Sequence, residues 1–111
     1  MKRIVLVSPR NFRTEEVPTP TPGPGKALVR IGKVGVCGSD IHLYRHGHIG
    51  DIVITSPLVI GHECMGVVSA TGPGVDTALV GKRVAVEPQF YCGTCRWCVA
   101  GKTNVCPNQS F

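Results

Sequence analysis

The chain has 111 residues, of which 42% are hydrophobic and 17% are charged. This composition excludes an intrinsically disordered chain, which has few apolar residues and a high net charge, and the length suits one folded domain. Twelve Lys and Arg against seven Asp and Glu give a net charge of +5, but the basic residues are scattered along the chain. We therefore expect a solvated basic surface, and no nucleic-acid partner.

No stretch of the sequence approaches the roughly 18 apolar residues of a membrane-spanning helix. The apolar run at residues 4–7, which follows Lys2 and Arg3, is also shorter than the core of a signal peptide, roughly 7 to 15 residues. We expect a cytoplasmic protein without a membrane partner. Because that compartment is reducing, the six cysteines indicate metal ligands or reactive thiols more than disulfides.

The first part of the chain is predicted to form short strands, since fourteen Gly and nine Pro interrupt it and Val and Ile dominate the apolar runs. Residues 2–8 predict a first strand, and the more polar residues 12–17 predict an exposed return strand. The proline-rich residues 18–25 cannot supply ladder hydrogen bonds. We interpret them as a surface connection, with an interdomain linker as the alternative. Residues 26–36 predict a third strand.

A short helix is predicted after the third strand. Ser39 or Asp40 can cap one or two helical turns that carry residues 41–44. Because side chains at i and i+3 share a helix face, Ser39 and His42 are then expected to point the same way.

The second half of the chain reads as loops alternating with strands. Residues 45–56 predict an irregular loop, in which His46 and His48 are interpreted as ordinary surface or core residues. An apolar run resumes at residues 57–60, and residues 64–70 and 81–88 predict two further strands. From residue 91 onward, cysteine spacing replaces hydrophobic periodicity as the organising feature.

Four cysteines near the end of the chain have the spacing of a structural zinc site. They follow the pattern Cys-x2-Cys-x2-Cys-x7-Cys and are Cys92, Cys95, Cys98 and Cys106. Closed coordination by four thiolates leaves no position for a substrate, so this ion would hold residues 91–108 together and perform no chemistry. Without it, we expect residues 90–108 to lose order. Disulfides and an iron–sulfur cluster are the alternatives, although the bacterial ferredoxin run has three residues before its last cysteine and this chain has seven.

Cys37 and His62 are candidates for a second, catalytic zinc site, which needs about three protein ligands and one open position. The third ligand is either Glu63 or a residue beyond position 111. Neighbouring side chains of a regular strand face opposite ways, so His62 and Glu63 can share an ion only if the backbone turns there. Gly61 makes such a turn feasible.

Three motifs in one order resemble the zinc-dependent medium-chain dehydrogenase/reductase family. They are Cys37-Gly38-Ser39-Asp40-x-His42, Gly61-His62-Glu63-x-x-Gly66 and the four-cysteine segment. Residues 42–51 are most similar to the sorbitol and polyol dehydrogenase branch. The resemblance covers essentially all of the chain. It implies a mainly β fold, a GroES-like partly open β-barrel with short helical turns, in which residues 1–111 are the N-terminal part of a catalytic domain.

The resemblance also implies a ligand set. Cys37 and His62 would hold the catalytic zinc, and Glu63 would be either a third ligand, as in the polyol branch, or a neighbour of the ligands. Asp40 would orient the zinc-bound histidine, and a carboxylate on the distal imidazole nitrogen would fix the tautomer of His62.

The implied reaction is the reversible oxidation of a small alcohol or polyol to a ketone or aldehyde, with hydride transfer to NAD or NADP. The Ser39 position would hydrogen-bond the substrate hydroxyl, and the His42 position would pass its proton toward solvent.

Members of this family carry a Rossmann cofactor domain, which is marked by Gly-x-Gly-x-x-Gly. Neither residues 23–25 nor residues 72–74 continue to the third glycine. The chain therefore resembles the front part of an enzyme that would be a homo-oligomer at full length, and we expect no turnover from residues 1–111 alone. The alternative is a free-standing zinc-binding module, or a truncated fragment, without catalysis.

Overall fold

A computed structural model describes residues 1–50 and 52–110, without the side chain of residue 52. The elements in chain order are β1 (Lys2–Ser8), β2 (Asn11–Glu16), β3 (Ala27–Val34), α1 (Gly38–His46), β4 (His48–Ile49), β5 (Ile52–Val53), β6 (Cys64–Thr71), β7 (Arg83–Ala85) and α2 (Arg96–Val99), with single 3-10 turns at Thr77–Leu79 and Thr103–Val105. Within the described residues, no helix is both long and apolar enough to span a bilayer.

The N-terminal hairpin pairs β1 with β2 in antiparallel register, from Lys2 opposite Glu16 to Ser8 opposite Asn11. The β1 strand forms because its Val and Ile residues suit a pleated surface, and it buries Val5 and Leu6. Leu6 also exchanges two backbone hydrogen bonds with Leu58, at 2.8 and 3.0 Å. This pair ties the hairpin to the segment that precedes the candidate site.

The main sheet is antiparallel and has the strand order β3-β6-β7. Its register places Val34, the last residue of β3, opposite Cys64, the first residue of β6. Just beyond this pair, the amide of Gly35 donates to the carbonyl oxygen of Glu63 at 2.6 Å. Antiparallel pairing thus brings the segment after β3 beside the segment before β6, although these segments are far apart in sequence.

The core of the described chain is small. The buried hydrophobic residues are Val5, Leu6, Val68 and Cys106. The strands form three separate small sheets with open edges, so the mainly β, partly open architecture predicted from the sequence is confirmed.

The helix after β3 is longer than predicted and begins at a different residue. It runs over Gly38–His46, and Cys37, with extended backbone, is its N-cap. Neither Ser39 nor Asp40 occupies the cap position. Asp40 is the third residue after Cys37, in the first turn of the helix. Its carboxylate accepts a hydrogen bond from the Cys37 amide at 3.0 Å. The prediction that Ser39 or Asp40 is the N-cap was wrong. In the capping box observed here, Asp40 lies inside the first turn and its carboxylate accepts from the amide of the N-cap residue.

The predicted loop at residues 45–56 is also partly wrong. The helix continues through His46, and β4 pairs with β5 in a short antiparallel ladder. Asp51, which belongs to this loop and to the stretch that resembles polyol dehydrogenases, lies outside the described residues. The last predicted strand is shorter than expected, since β7 covers only Arg83–Ala85.

Candidate functional site

Cys37 lies at the junction between β3 and α1, where the chain leaves the sheet and enters the helix. Its thiol is half-buried, and its backbone amide is held by Asp40 Oδ2 at 3.0 Å. The position of the sulfur is therefore fixed by two elements, the strand that delivers it and the helix that it caps.

Asp40 contacts the second candidate ligand as well. Its other carboxylate oxygen, Oδ1, lies 3.5 Å from Nδ1 of His62, and its side chain is only 8% exposed. This distance is longer than that of a strong hydrogen bond. Because Nδ1 faces the carboxylate, Nε2 of His62 is the nitrogen that remains for a metal ion.

Cys37, His62 and Glu63 each offer one donor atom, and these three atoms lie within 4.8 Å of one another. Gly61 has a φ of 99°, which is the left-handed region, and residues 61–63 lie outside the strands. The backbone turn that allows neighbouring His62 and Glu63 to face one point is therefore present. One sulfur, one imidazole nitrogen and one carboxylate oxygen are ligands that zinc accepts, so the donor set fits this ion.

Ser39 and His42 lie on α1, next to this group. Ser39 is half-buried in the first turn, and His42 is exposed one turn further along. Their i, i+3 spacing places both on one face of the helix. The helix therefore begins at one candidate metal ligand, Cys37, and carries half-buried Ser39 before exposed His42.

The four cysteines near the end of the chain come together as a second group. The Sγ atoms of Cys92 and Cys98 are 3.9 Å apart, those of Cys95 and Cys106 are 4.0 Å apart, and those of Cys92 and Cys106 are 3.6 Å apart. Four sulfurs bound to a tetrahedral zinc at about 2.3 Å lie about 3.8 Å from one another. The thiols are free of disulfides, so their arrangement fits a closed zinc site.

The surroundings shift the pKa values of two of these thiols in opposite directions. Backbone amides of Thr94 and Cys95 donate to the sulfur and lower the pKa of Cys92 to about 5. Desolvation, followed by contact with the Cys95 thiol, raises the pKa of Cys98 to about 12. The loop amides thus favour a thiolate at Cys92, whereas desolvation disfavours one at Cys98.

Two further histidines approach His42. The ring centroids of His42 and His46 are 4.6 Å apart, and those of His42 and His48 are 5.5 Å apart. Sequence reasoning left His46 and His48 outside any site. The i, i+4 spacing of His42 and His46 predicts that they are neighbours, but only if the helix extends through residue 46.

The alcohol dehydrogenase GroES-like domain family matches residues 23–111. Sorbitol dehydrogenase of Bacillus subtilis is 42% identical over 111 residues, which are 100% of this chain and 31% of that protein. Starvation-sensing protein RspB of Escherichia coli K12 is 46% identical over 106 residues, 96% of this chain and 30% of that protein. The chain thus spans about a third of the length of these relatives.

Solved structures agree with these matches. The NADH complex of an alcohol dehydrogenase, rspB, from E. coli CFT073 has a TM-score of 0.85 and 43% identity, and the match covers 99% of this chain and 31% of that one. A cobalt- and zinc-bound thermostable alcohol dehydrogenase from Pyrobaculum aerophilum has a TM-score of 0.79 and 34% identity, over 97% of this chain and 32% of that one. The GroES-like fold expected from the three motifs is confirmed. The chain therefore belongs to the alcohol dehydrogenase GroES-like domain family.

Proposed function

We propose that this chain is the zinc-binding catalytic segment of an NAD(P)-dependent alcohol or polyol dehydrogenase. The enzyme would oxidise a secondary alcohol to a ketone, or a primary alcohol to an aldehyde, by hydride transfer. The convergence of the donor atoms of Cys37, His62 and Glu63 within 4.8 Å carries this proposal. The similarity to sorbitol dehydrogenases over the whole chain supports a small alcohol or polyol as the substrate.

Cys37, His62 and Glu63 would hold the catalytic zinc, with a fourth position left for the substrate. Bound zinc supplies a Lewis acid that makes the substrate hydroxyl easier to deprotonate. Asp40 acts on this site through the ligands, because its carboxylate contacts both the Cys37 amide and His62 Nδ1. It fixes the tautomer of His62 so that Nε2 carries the lone pair.

Ser39 and His42 would handle the proton that the alcohol loses. Ser39 is half-buried two residues after Cys37. Its Oγ would accept a hydrogen bond from the substrate hydroxyl. His42 is exposed on the same helix face and releases the proton to solvent. An inner acceptor followed by an outer imidazole is the order that a relay requires.

The four-cysteine group would hold the structural zinc. It involves Cys92, Cys95, Cys98 and Cys106, and four sulfurs leave no coordination position for a substrate. The nucleotide site is proposed to lie outside residues 1–111, in the two thirds of the relatives' length that this chain does not span. The complete protein would then be a cytoplasmic homo-oligomer.

A chimeric enzyme tests this function. Residues 1–111 replace the matching segment of B. subtilis sorbitol dehydrogenase, and NAD reduction is followed with a panel of polyols and simple alcohols. We expect turnover from the chimera and none from its Cys37→Ser variant. Ser39→Ala is expected to lower kcat by about 10²–10⁴-fold, because it removes the acceptor of the substrate proton.

Cys64→Ser is the matched control, since this half-buried cysteine belongs to neither metal-ligand group. It should leave activity and zinc content unchanged. A chimera that binds NADH and two zinc ions per chain, yet turns over none of the alcohols, would contradict the proposal. In that case a zinc-binding module without catalysis becomes the better description.

A further inference from the structure

Three exposed imidazoles converge at the end of α1. The ring centroids of His42 and His46 lie 4.6 Å apart, those of His42 and His48 lie 5.5 Å apart, and those of His46 and His48 lie 6.2 Å apart. All three side chains are exposed. These residues, which we term the histidine cluster, share no member with the two metal-ligand groups described above.

The local fold explains why the cluster forms. His42 and His46 are i and i+4 on the helix, so one lies directly above the other. Gly47 then ends the helix with a φ of 74°, a left-handed conformation that turns the chain back and begins β4 with His48. A side chain at Gly47 would also meet Cγ of Pro9 at 2.8 Å. The turn that brings the third imidazole to the other two thus depends on glycine.

The ring separations come close to those of one metal ion, although the donor nitrogens of the three described histidines do not all lie within 4.8 Å of one another. In a tetrahedral site with Zn–N bonds of about 2.0–2.1 Å, the centroids of two bound imidazoles lie about 5.2 Å apart. The observed separations of 4.6, 5.5 and 6.2 Å fall on both sides of this value. The His46–His48 pair must close by about 1 Å, which exposed side chains achieve by rotamer changes on the nanosecond timescale.

We propose that His42, His46 and His48 form a third metal site, which binds a divalent transition-metal ion such as Zn²⁺ or Ni²⁺ through three neutral imidazoles. Imidazole ligands suit zinc and nickel and exclude magnesium and calcium, which prefer oxygen. The fourth position is open to water.

The charges around the cluster moderate its affinity. Partial desolvation, together with the neighbouring His42, His48, Arg45 and Arg10, lowers the pKa of His46. A lowered pKa favours the neutral imidazole, which is the form that binds metal. The two guanidinium groups also repel a divalent cation, so we expect weaker binding here than at the thiolate sites.

Imidazole NMR tests the site directly, because the chain contains only four histidines. The full chain is first loaded with two equivalents of zinc and then titrated with more Zn²⁺, while the ring nitrogens are followed in a long-range proton–nitrogen correlation spectrum. We expect the signals of His42, His46 and His48 to shift together and to saturate at one further equivalent. The signals of His62 should not move in this step.

Matched variants distinguish one shared metal site from three surface histidines that do not act together. His48→Gln removes one imidazole and is expected to lower the affinity for the third equivalent of zinc by about tenfold or more. Arg45→Gln keeps all three imidazoles and removes a facing charge, so it should bind equally well or more tightly. Absence of a joint shift at a large excess of zinc would overturn the proposal. So would a titration of His48→Gln that matches the unchanged chain.

The binding itself is independent of the proposed dehydrogenase activity, and its failure is distinguishable from failure of that activity. A Cys37→Ser chain lacks one ligand of the candidate catalytic site and should still show the joint shift of the cluster. One consequence does rest on the proposed function: an ion held by His42 would block the proton relay. Excess zinc should therefore inhibit the chimera, and His48→Gln should relieve that inhibition.

Discussion

Asp40 shows how one buried carboxylate meets two demands at the scale of a single residue. It is only 6% exposed, yet it lies in the first turn of a helix, where a negative charge interacts favourably with the helix dipole. One oxygen holds the Cys37 amide and the other faces the imidazole of His62. The same side chain thus stabilises the helix start and aligns two candidate ligands.

Asp40→Asn is predicted to weaken zinc binding at the site of Cys37, His62 and Glu63. The amide oxygen still accepts from Cys37, but the charge that faces His62 is lost, so the affinity should fall by about 10–100-fold. Competition with a chromophoric chelator measures the affinities of both zinc sites in one titration. The four-cysteine site should keep its affinity.

Asp76→Asn is the matched control. Asp76 caps the turn at Thr77–Leu79 by accepting from the Ala78 amide at 2.9 Å, and it lies outside both metal groups. The amide oxygen of its variant should still accept from the Ala78 amide, so both the cap and the zinc affinity are expected to stay unchanged. Equal zinc affinities in the two variants would show that Asp40 stabilises the helix start and has no effect on the metal ligands.

The residue scale also shows what the sequence allows one to predict. Cys37 and His62 could be chosen as candidate zinc ligands from the sequence, because a thiol and an imidazole separated by this much chain can come from different elements, and their donor atoms do lie within 4.8 Å of each other. The role of Cys37 as helix N-cap was not identifiable, since Ser39 and Asp40 are both better capping residues by type. The capping box between Cys37 and Asp40 is what places the helix start at this residue.

At the scale of elements, the candidate site depends on the pairing of β3 with β6. Val34 lies opposite Cys64, and the Gly35 amide donates to the Glu63 carbonyl at 2.6 Å. This pairing leaves little room, because a Cβ at position 35 would lie 2.6 Å from Glu63 Oε2 and 3.1 Å from Glu63 Cβ. The absence of a side chain at Gly35 therefore permits the position of Glu63.

Gly35→Ala is predicted to displace Glu63 and to disturb the mixed-ligand metal site. Gly32→Ala is the matched control on the same segment, because a Cβ there meets only the Met65 carbonyl oxygen, at 3.8 Å. In cobalt-substituted protein, the visible absorption bands of the mixed-ligand site should change in Gly35→Ala and stay constant in Gly32→Ala. Identical spectra for both variants would mean that Glu63 is not a ligand, and the third ligand must then be sought elsewhere.

Several elements followed from local pattern, whereas their arrangement did not. The strands β1, β2, β3 and β6 were predictable from alternation and from the Pro and Gly residues that end them. The length of α1 and the β4–β5 ladder were missed, because both depend on the turn at Gly47. The register between β3 and β6 joins residues far apart in sequence, from Val34 with Cys64 to Ala27 with Thr71, and no local signal encodes it.

At the scale of the whole molecule, the chain exposes more surface than its mass requires. A globular protein of 11.8 kDa is expected to expose about 5,900 Å², and this chain exposes 8168 Å². Its radius of gyration is 16.2 Å, against about 13 Å for a compact domain of this length. The excess surface, roughly 2,300 Å², is of the size that large permanent interfaces bury.

Part of the exposed apolar surface lies around one cleft. The cleft has a volume of about 660 Å³, and its lining includes Ile4, Phe12, Ile31, Ile41 and Val59, all of which are at least 42% exposed. An apolar surface of this kind is normally covered in a stable protein. We therefore expect the rest of the chimera described above to cover this cleft.

Ile4→Ser is predicted to have opposite consequences in the two contexts. Ile4 is 58% exposed in this chain, so its replacement should leave the stability of residues 1–111 nearly unchanged and reduce binding of an apolar dye such as ANS. In the chimera the same change should lower the free energy of unfolding by about 1–2 kcal/mol, because a buried apolar side chain is lost. Val99→Ser is the control, since Val99 is 76% exposed on α2, away from the cleft. Denaturant unfolding of both variants in both contexts measures the difference, and equal effects of Ile4→Ser in the chimera and in the isolated chain would show that the cleft stays open to solvent.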